Sequence, residues 1–202
     1  MEKKIEKQRL DVMLDMETCA LSENAAILSI ALLPFYLDGG EPVEDSVYYI
    51  IEGNSCFLEG MKYDDDTQAW WRRQDPKAKA NILFGIEPVH IREAIKFIYD
   101  WLEGICESYE VHMWCRGLNF DIPKLEWCFK NLLGKEPPYK YYNMEDARTY
   151  CHTFGVQATD IPFEGCRHTA MDDCIFQVKQ VQAAREVHQQ LLGCKKIVET
   201  KA

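Results

Sequence analysis

The chain has 202 residues, 47% of them apolar and 12% aromatic, and a formal net charge of −10. That length suits one well-buried domain and is short for two, and the apolar content excludes wholesale disorder. No apolar run approaches the roughly 20 residues needed to span a bilayer, so a membrane helix is not expected. The start, Met1 to Lys7, is charged and leads into no apolar segment, so a secretory leader is not expected either. The nine cysteines are scattered and form no C-x-x-C pair, which suits reduced thiols in a cytoplasm better than a disulfide framework. The negative charge weighs against a phosphate-binding partner, which usually meets a basic patch. It does not exclude one, because carboxylates that hold divalent cations place negative charge where the metal meets the phosphate.

In chain order, Leu10 to Met16 reads as a short buried strand, with Val12, Met13 and Leu14 apolar in succession. Ala26 to Phe35 reads as a second strand and Ser46 to Ile51 as a third, joined through the turn Asp38-Gly39-Gly40. Short connections between the three suggest an antiparallel meander. Helices follow over Asp66 to Arg73, over Pro76 to Phe84 with its proline in the first turn, and over Pro88 to Glu103. Val111 to Cys115 is a fourth strand, and Pro123 to Leu133 a helix that stops at Gly134. Tyr141 to Met144 reads as a fifth strand, and Ala170 to Leu192 as a long last helix with Ile175, Val178 and Val181 on one side. The expected fold is α/β, a mixed five-stranded sheet flanked by helices. With no repeat or Pro/Gly/Ser-rich linker, a single domain over residues 1–202 is expected, its core over about 10–192.

Three constellations carry chemistry. Asp15-Met16-Glu17-Thr18 closes the first strand, and residues i and i+2 of a strand share a face, so both carboxylates point the same way. Two such charges repel unless a cation lies between them, and hard oxygen ligands suit Mg²⁺ or Mn²⁺. The plain alternative is a pair of solvated acids. Gly117-Leu118-Asn119-Phe120-Asp121-Ile122-Pro123 follows the fourth strand. Asp121 there reaches a site beyond the strand ends or, more simply, caps the helix entering at Pro123. His168-Thr169-Ala170-Met171-Asp172-Asp173 enters the last helix, and the adjacent acids with the loop at Pro162 and Gly165 favour a mobile general base over a surface imidazole.

Together, Asp15-x-Glu17, Gly117-x-x-Phe120-Asp121 and His168-x-Ala170-x-x-Asp173 resemble the three motifs of the DEDDh branch of the proofreading-type 3′–5′ exonucleases, in order and spacing. Trp70-Trp71-x-x-Gln74 and Asp146-x-Arg148-Thr149 resemble a narrower group, the small stand-alone 3′–5′ exoribonucleases and exodeoxyribonuclease VIII-like enzymes of bacteria and phages. The resemblance implies a ribonuclease H-like sheet whose second strand is antiparallel. It implies two divalent ions, roughly 4 Å apart, that activate water and stabilise the leaving 3′-oxygen. Asp15 would bridge them, Glu17 and Asp173 would bind the ion on the nucleophile side, Asp121 would complete the site, and His168 would take the water's proton. Thr18 would face the terminal nucleotide. Asp172 lies four residues after His168, the spacing of the tyrosine-using branch, and is assigned to orienting the helix start.

Trp70 and Trp71 are candidates to stack an unpaired base, one of them facing the core because neighbours on a helix point about 100° apart. Gln74, Arg148 and Arg167 are candidates to hold substrate, the two arginines at its phosphates, with surface solvation as the alternative. Cys166-x-His168 beside Cys151-His152 fits no usual zinc spacing. The expected partner is the 3′ end of an RNA or DNA strand, with no membrane. A homodimer is admitted, although no residue points to it.

Overall fold

The computed structural model describes residues 7–40, 42, 44–84 and 87–199, so the charged start at 1–6 lies outside the described residues. Strand β1 (Gln8–Thr18) is the central element, with Leu10, Val12, Met13 and Leu14 fully buried, because helices cover both faces of the sheet. β2 (Ile27–Phe35) runs antiparallel to β1, and β3 (Val47–Ile50) antiparallel to β2. β4 (Tyr109–Cys115) lies parallel to β1 on its other side, and β5 (Met144–Asp146) parallel to β4, giving the order β3-β2-β1-β4-β5. This is the mixed sheet expected, with the second strand reversed.

Between β3 and β4 come α1 (Gly53–Leu58), α2 (Asp65–Arg72), α3 (Pro76–Phe84) and α4 (Ile91–Ser108). Leu10, Val12, Leu14 and Met16 pack on the stripe Ile91, Ala94, Ile95, Ile98 and Leu102 of α4, together with α5 (Asp121–Cys128). The opposite face, carrying Met13, Ala31 and Phe35, packs on α6 (Ala147–Thr153) and α7 (Ala170–Glu199). Parallel β1 and β4 end on the same edge of the sheet, and α5 and α7 both begin there. That edge collects all three motifs.

Four local readings change. The segment at Tyr141 is a 3-10 turn (Tyr141–Asn143), and the fifth strand starts only at Met144. Tyr141 and Tyr142 face solvent, while the buried Asn143 amide donates to the Val111 carbonyl at 3.2 Å and so docks the turn on β4. The helix after β4 begins at Asp121, with Phe120 as its N-cap, so Pro123 sits inside the first turn, where its missing N–H costs nothing. It ends in a π turn (Phe129–Leu133) closed by Gly134 at φ 66°. On α7 the sheet-facing stripe is Ala170, Cys174, Val178, Val181 and Ala184, and Ile175 is turned outward. Small residues let this helix lie close to β1 and β2. Lastly, α1 and α6 have no counterpart among the elements expected from periodicity; at six and seven residues they are too short to show a period.

These placements set two expectations for unfolding in urea. Leu14→Ala, at the centre of the sheet, is expected to cost about 2–5 kcal/mol. Ile175→Ala is expected to shift stability by no more than about 0.5 kcal/mol; a large loss there would return Ile175 to the core face.

Candidate active site

Asp15 and Glu17 alternate along β1 on the face turned toward α7, and both are half-buried. A β-bulge follows between Glu17 and Thr18, where the register with β2 shifts. Asp121 enters from the end of β4. Gly117, at φ 109°, opens a tight turn closed by Phe120 N–H donating to the Gly117 carbonyl at 3.1 Å. The Asp146 carboxylate braces this turn, accepting from Leu118 N–H at 3.1 Å while capping α6 through Thr149 N–H at 2.8 Å.

The third motif is folded back by its own acids. Asp173 accepts from His168 N–H at 2.8 Å, and Asp172 accepts from Cys166 N–H at 2.7 Å. His168 lies at φ 63°, the left-handed region, so this bond holds a strained turn. Gly165 has φ 96°, and a Cβ on it would come within 2.5 Å of the Asp172 carboxylate, so the loop closes only over glycine. Asp172 thus orients the helix start, while Asp173 faces the site. The imidazole is also held from outside: its ring meets Trp70 edge-on at 4.9 Å and Trp71 at 6.2 Å between centroids.

The four carboxylates repel one another in a partly dry setting. Burial raises the pKa of Asp15, and the charges of Asp121, Glu17 and Asp173 raise it further; the Gln177 amide, donating to Asp15 Oδ1 at 2.8 Å, works the other way. Burial, then Asp173 and Asp121, push Glu17 up to about 8. Burial pushes Asp121 to about 7, against the Lys124 ammonium and the Met16 N–H, which favour its charged form. Asp173 is raised by burial, with the His168 N–H opposing. Ligating atoms of Glu17, His168 and Asp173 lie within 4.8 Å of one another. Hard oxygens that resist ionising side by side, with an imidazole among them, fit a divalent cation, which would remove the repulsion.

Beside Glu17 opens a cavity of about 430 Å³, within the range of small-ligand sites. Met16, Thr18 and Leu21 line it from β1 and the following turn, Asp66, Thr67, Trp70 and Trp71 from α2 with Arg73 at its C-cap, and Phe120 from the α5 entry. Trp71 is buried and its Nε1 donates to the Thr18 carbonyl at 2.9 Å, whereas Trp70 is 37% exposed. Core anchor and open platform are thus divided between the two. Thr18 lines the cavity, but its hydroxyl proton is committed to the Ala20 carbonyl at 2.9 Å.

The other candidates sit differently. Gln74 lies off the cavity and donates to the Trp70 carbonyl at 3.1 Å, closing the end of α2; Arg73 takes the position at the cavity. Arg148 donates to the Arg116 carbonyl at 3.3 Å and lies against the Gly117 turn, also off the cavity. Arg167 stacks over Phe163 at 4.5 Å, and its charge is felt at Asp173. The sequence reading leaves out Gln177, Lys124 and Leu21, and gives Phe120 no role beyond its motif. Gln177 was within reach of it, since i+4 from Asp173 shares the helix face.

In fold, the chain is similar to E. coli exonuclease I in complex with a dT13 oligonucleotide, at a TM-score of 0.54 and 11% identity over 92% of this chain. It spans 43% of that chain's length. The RNase domain of the yeast Pop2 protein gives a TM-score of 0.50 at 9% identity, covering 88% of this chain and 76% of that one. In sequence, the exodeoxyribonuclease of Enterobacteria phage T4 is 26% identical over 159 residues, 69% of each protein. The fold is thus the ribonuclease H-like one of these solved structures. Residues 10–185 match the 3′-5′ exoribonuclease Rv2179c-like domain, and the chain belongs to that family of 3′–5′ exonucleases.

A pH dependence follows from the acids. With Glu17 raised to about 8 and Asp121 to about 7, the metal-free folded protein binds more protons than the unfolded chain at mildly acidic to neutral pH. Stability from raised carboxylates is present at low pH and lost as pH climbs through the folded-state values. In excess chelator the urea midpoint is therefore expected to fall between about pH 5 and pH 8, and Glu17→Gln to flatten that slope. A metal-free midpoint that rises across the interval would show that the acids do not repel one another as described.

Proposed function

We propose that this chain is a single exonuclease domain, cytoplasmic in location, that removes nucleotides from the 3′ end of single-stranded or overhanging RNA or DNA with two Mg²⁺ or Mn²⁺ ions. One observation carries the reading: Asp15, Glu17, Asp121, Asp173 and His168 converge at one sheet edge, beside a cavity walled by tryptophan. In this reading Asp15, Glu17, Asp121 and Asp173 would hold the ions through their carboxylates, Asp15 as the central ligand. When bound, the ions lower the pKa of a water and stabilise the leaving 3′-oxygen.

The rest of the chemistry belongs to the protein. His168 accepts the water's proton at its imidazole, whose position the Asp173 bond and the Trp70 edge contact define. Gln177 occupies one Asp15 oxygen and so restricts how that carboxylate turns. The cavity receives the terminal base against Trp70, with Thr18 and Leu21 at its floor and rim, and Arg167 stands near Asp173 for the phosphate. A second reading, a phosphoesterase confined to short oligonucleotides, draws on the small size of the cavity and the net charge of −10.

The test is a time course on 5′-labelled RNA and DNA of one sequence, in short and long versions, with Mg²⁺, Mn²⁺ or excess chelator. A descending ladder from the 3′ end is expected with metal and none in chelator. Asp15→Ala is expected to abolish turnover without loss of folding, and His168→Ala to lower it by about 10²–10⁴-fold. Cleavage of the short version alone would favour the second reading, and internal cuts in a circular single strand would overturn both.

A further inference from the structure

We infer that Lys124 is a positioning residue that sets the width of the aromatic slot beside the acids, and thereby the preference for a strand end that carries a base. The inference rests on the exonuclease reading of that site. Lys124 is 1% exposed, an unusual place for an ammonium group. Its three donor directions are all met: Nζ donates to the Leu21 carbonyl at 3.2 Å, donates to the Phe120 carbonyl at 3.1 Å, and lies 3.3 Å from the centroid of the Phe120 ring.

Those two carbonyls belong to two walls of the cavity. Leu21 stands on the turn after β1 and Phe120 at the entry to α5, segments far apart in sequence, and Trp70 and Trp71 line the same cavity from α2. The Leu21 side chain is 73% exposed, so packing does not hold that wall in place. Among the described residues, Lys124 is the one side chain that donates to the Leu21 carbonyl. One buried ammonium therefore ties both walls together from behind, while the tryptophan side is fixed separately by the Trp71 bond to Thr18. Without the ammonium, the Leu21 carbonyl loses its side-chain donor and the Phe120 carbonyl keeps only the backbone bond of the first turn of α5, so nothing ties the two walls and they are free to part. Bases entering the slot would lose contact on the Leu21–Phe120 side. A strand end with no base has nothing there to lose.

Lys124 also carries charge close to Asp121, which would affect every substrate alike. The experiment separates the two effects. Two 5′-labelled DNA strands, one ending in thymidine and one in an abasic tetrahydrofuran residue, are compared for kcat/KM with Mn²⁺, and for binding by tryptophan quenching in chelator. Lys124→Met is expected to lower the thymidine-to-abasic ratio at least tenfold, mainly through KM. Lys124→Arg keeps the charge beside Asp121 but puts a planar fork into a seat shaped for an ammonium. It is expected to lower the ratio at least threefold, with a smaller loss on the abasic strand than on the thymidine strand. Circular dichroism checks the fold, and if the methionine variant does not fold the arginine variant decides. An unchanged ratio in a folded variant, or equal loss on both strands, would overturn the inference. If the unaltered protein degrades neither strand, the exonuclease reading fails, and the same ratio read from binding still settles the role of Lys124.

Discussion

Everything at the sheet edge answers to one electrostatic constraint: four carboxylates must be held close together without the protein itself neutralising them. Alternation along β1 places Asp15 and Glu17 on one face, the parallel partner β4 delivers Asp121, and the first turn of α7 delivers Asp173. Each arrives on a regular element or at its first residue, so none has the freedom to swing into solvent. Burial of β1 between two helical layers supplies the rigidity that this requires. Partial relief comes from dipoles and one charge set to the side: Gln177 at Asp15, the Met16 N–H and Lys124 at Asp121, the His168 N–H at Asp173. None of these is a full counter-charge at the centre of the group. The excess negative charge is thereby focused where a small hard cation would sit.

The aromatic cavity is coupled to that group through covalent neighbours and not by mere proximity. Thr18 follows Glu17 directly, and its carbonyl is the acceptor for Trp71; Phe120 precedes Asp121 directly, and its carbonyl is an acceptor for Lys124. Trp70 touches the His168 ring, whose backbone is tied to Asp173. Each cavity wall is therefore joined to an acid by one peptide unit, so the slot and the acids keep a fixed spacing. Such coupling suits a reaction in which the scissile phosphate must lie within a fraction of an ångström of its catalytic groups.

The parts of this arrangement legible in the sequence are those written in local periodicity. Apolar runs mark β1 to β4, and i, i+2 spacing is enough to put Asp15 and Glu17 on one face. The division of Trp70 and Trp71 between platform and anchor follows from helical geometry. Asp173 is preferred to Asp172 only through the five-residue spacing of the family resembled, and it is the hydrogen bonds to Cys166 and His168 that give the two acids different places. What escapes is of two kinds. Short elements such as α1, α6 and the three-residue β5 carry too few residues to show a period. Contacts across the fold, Lys124 to Leu21 and Gln177 to Asp15, join residues with no local signature of each other. The face of α7 is misread when bulk is used to mark burial, whereas close helix–sheet approach selects Ala170, Cys174 and Ala184.

The net charge of −10 looks at first like an argument against a polyanionic substrate. Its distribution changes the sense of that number. Four of the negative charges are the cluster itself, which with metal bound would present cations and not carboxylates to an approaching phosphate. The cavity next to it exposes chiefly apolar and aromatic surface, with Arg73 set against Asp66 and Glu17 on its wall, so its contribution to affinity would come from stacking, which is insensitive to overall charge. A protein built this way has little long-range attraction for a duplex or an internal stretch of strand. In the proposed reading it would select for a terminus, because only a free end could place a base in the slot and its phosphate over the metals together. Local geometry, and not field strength, would then define the substrate.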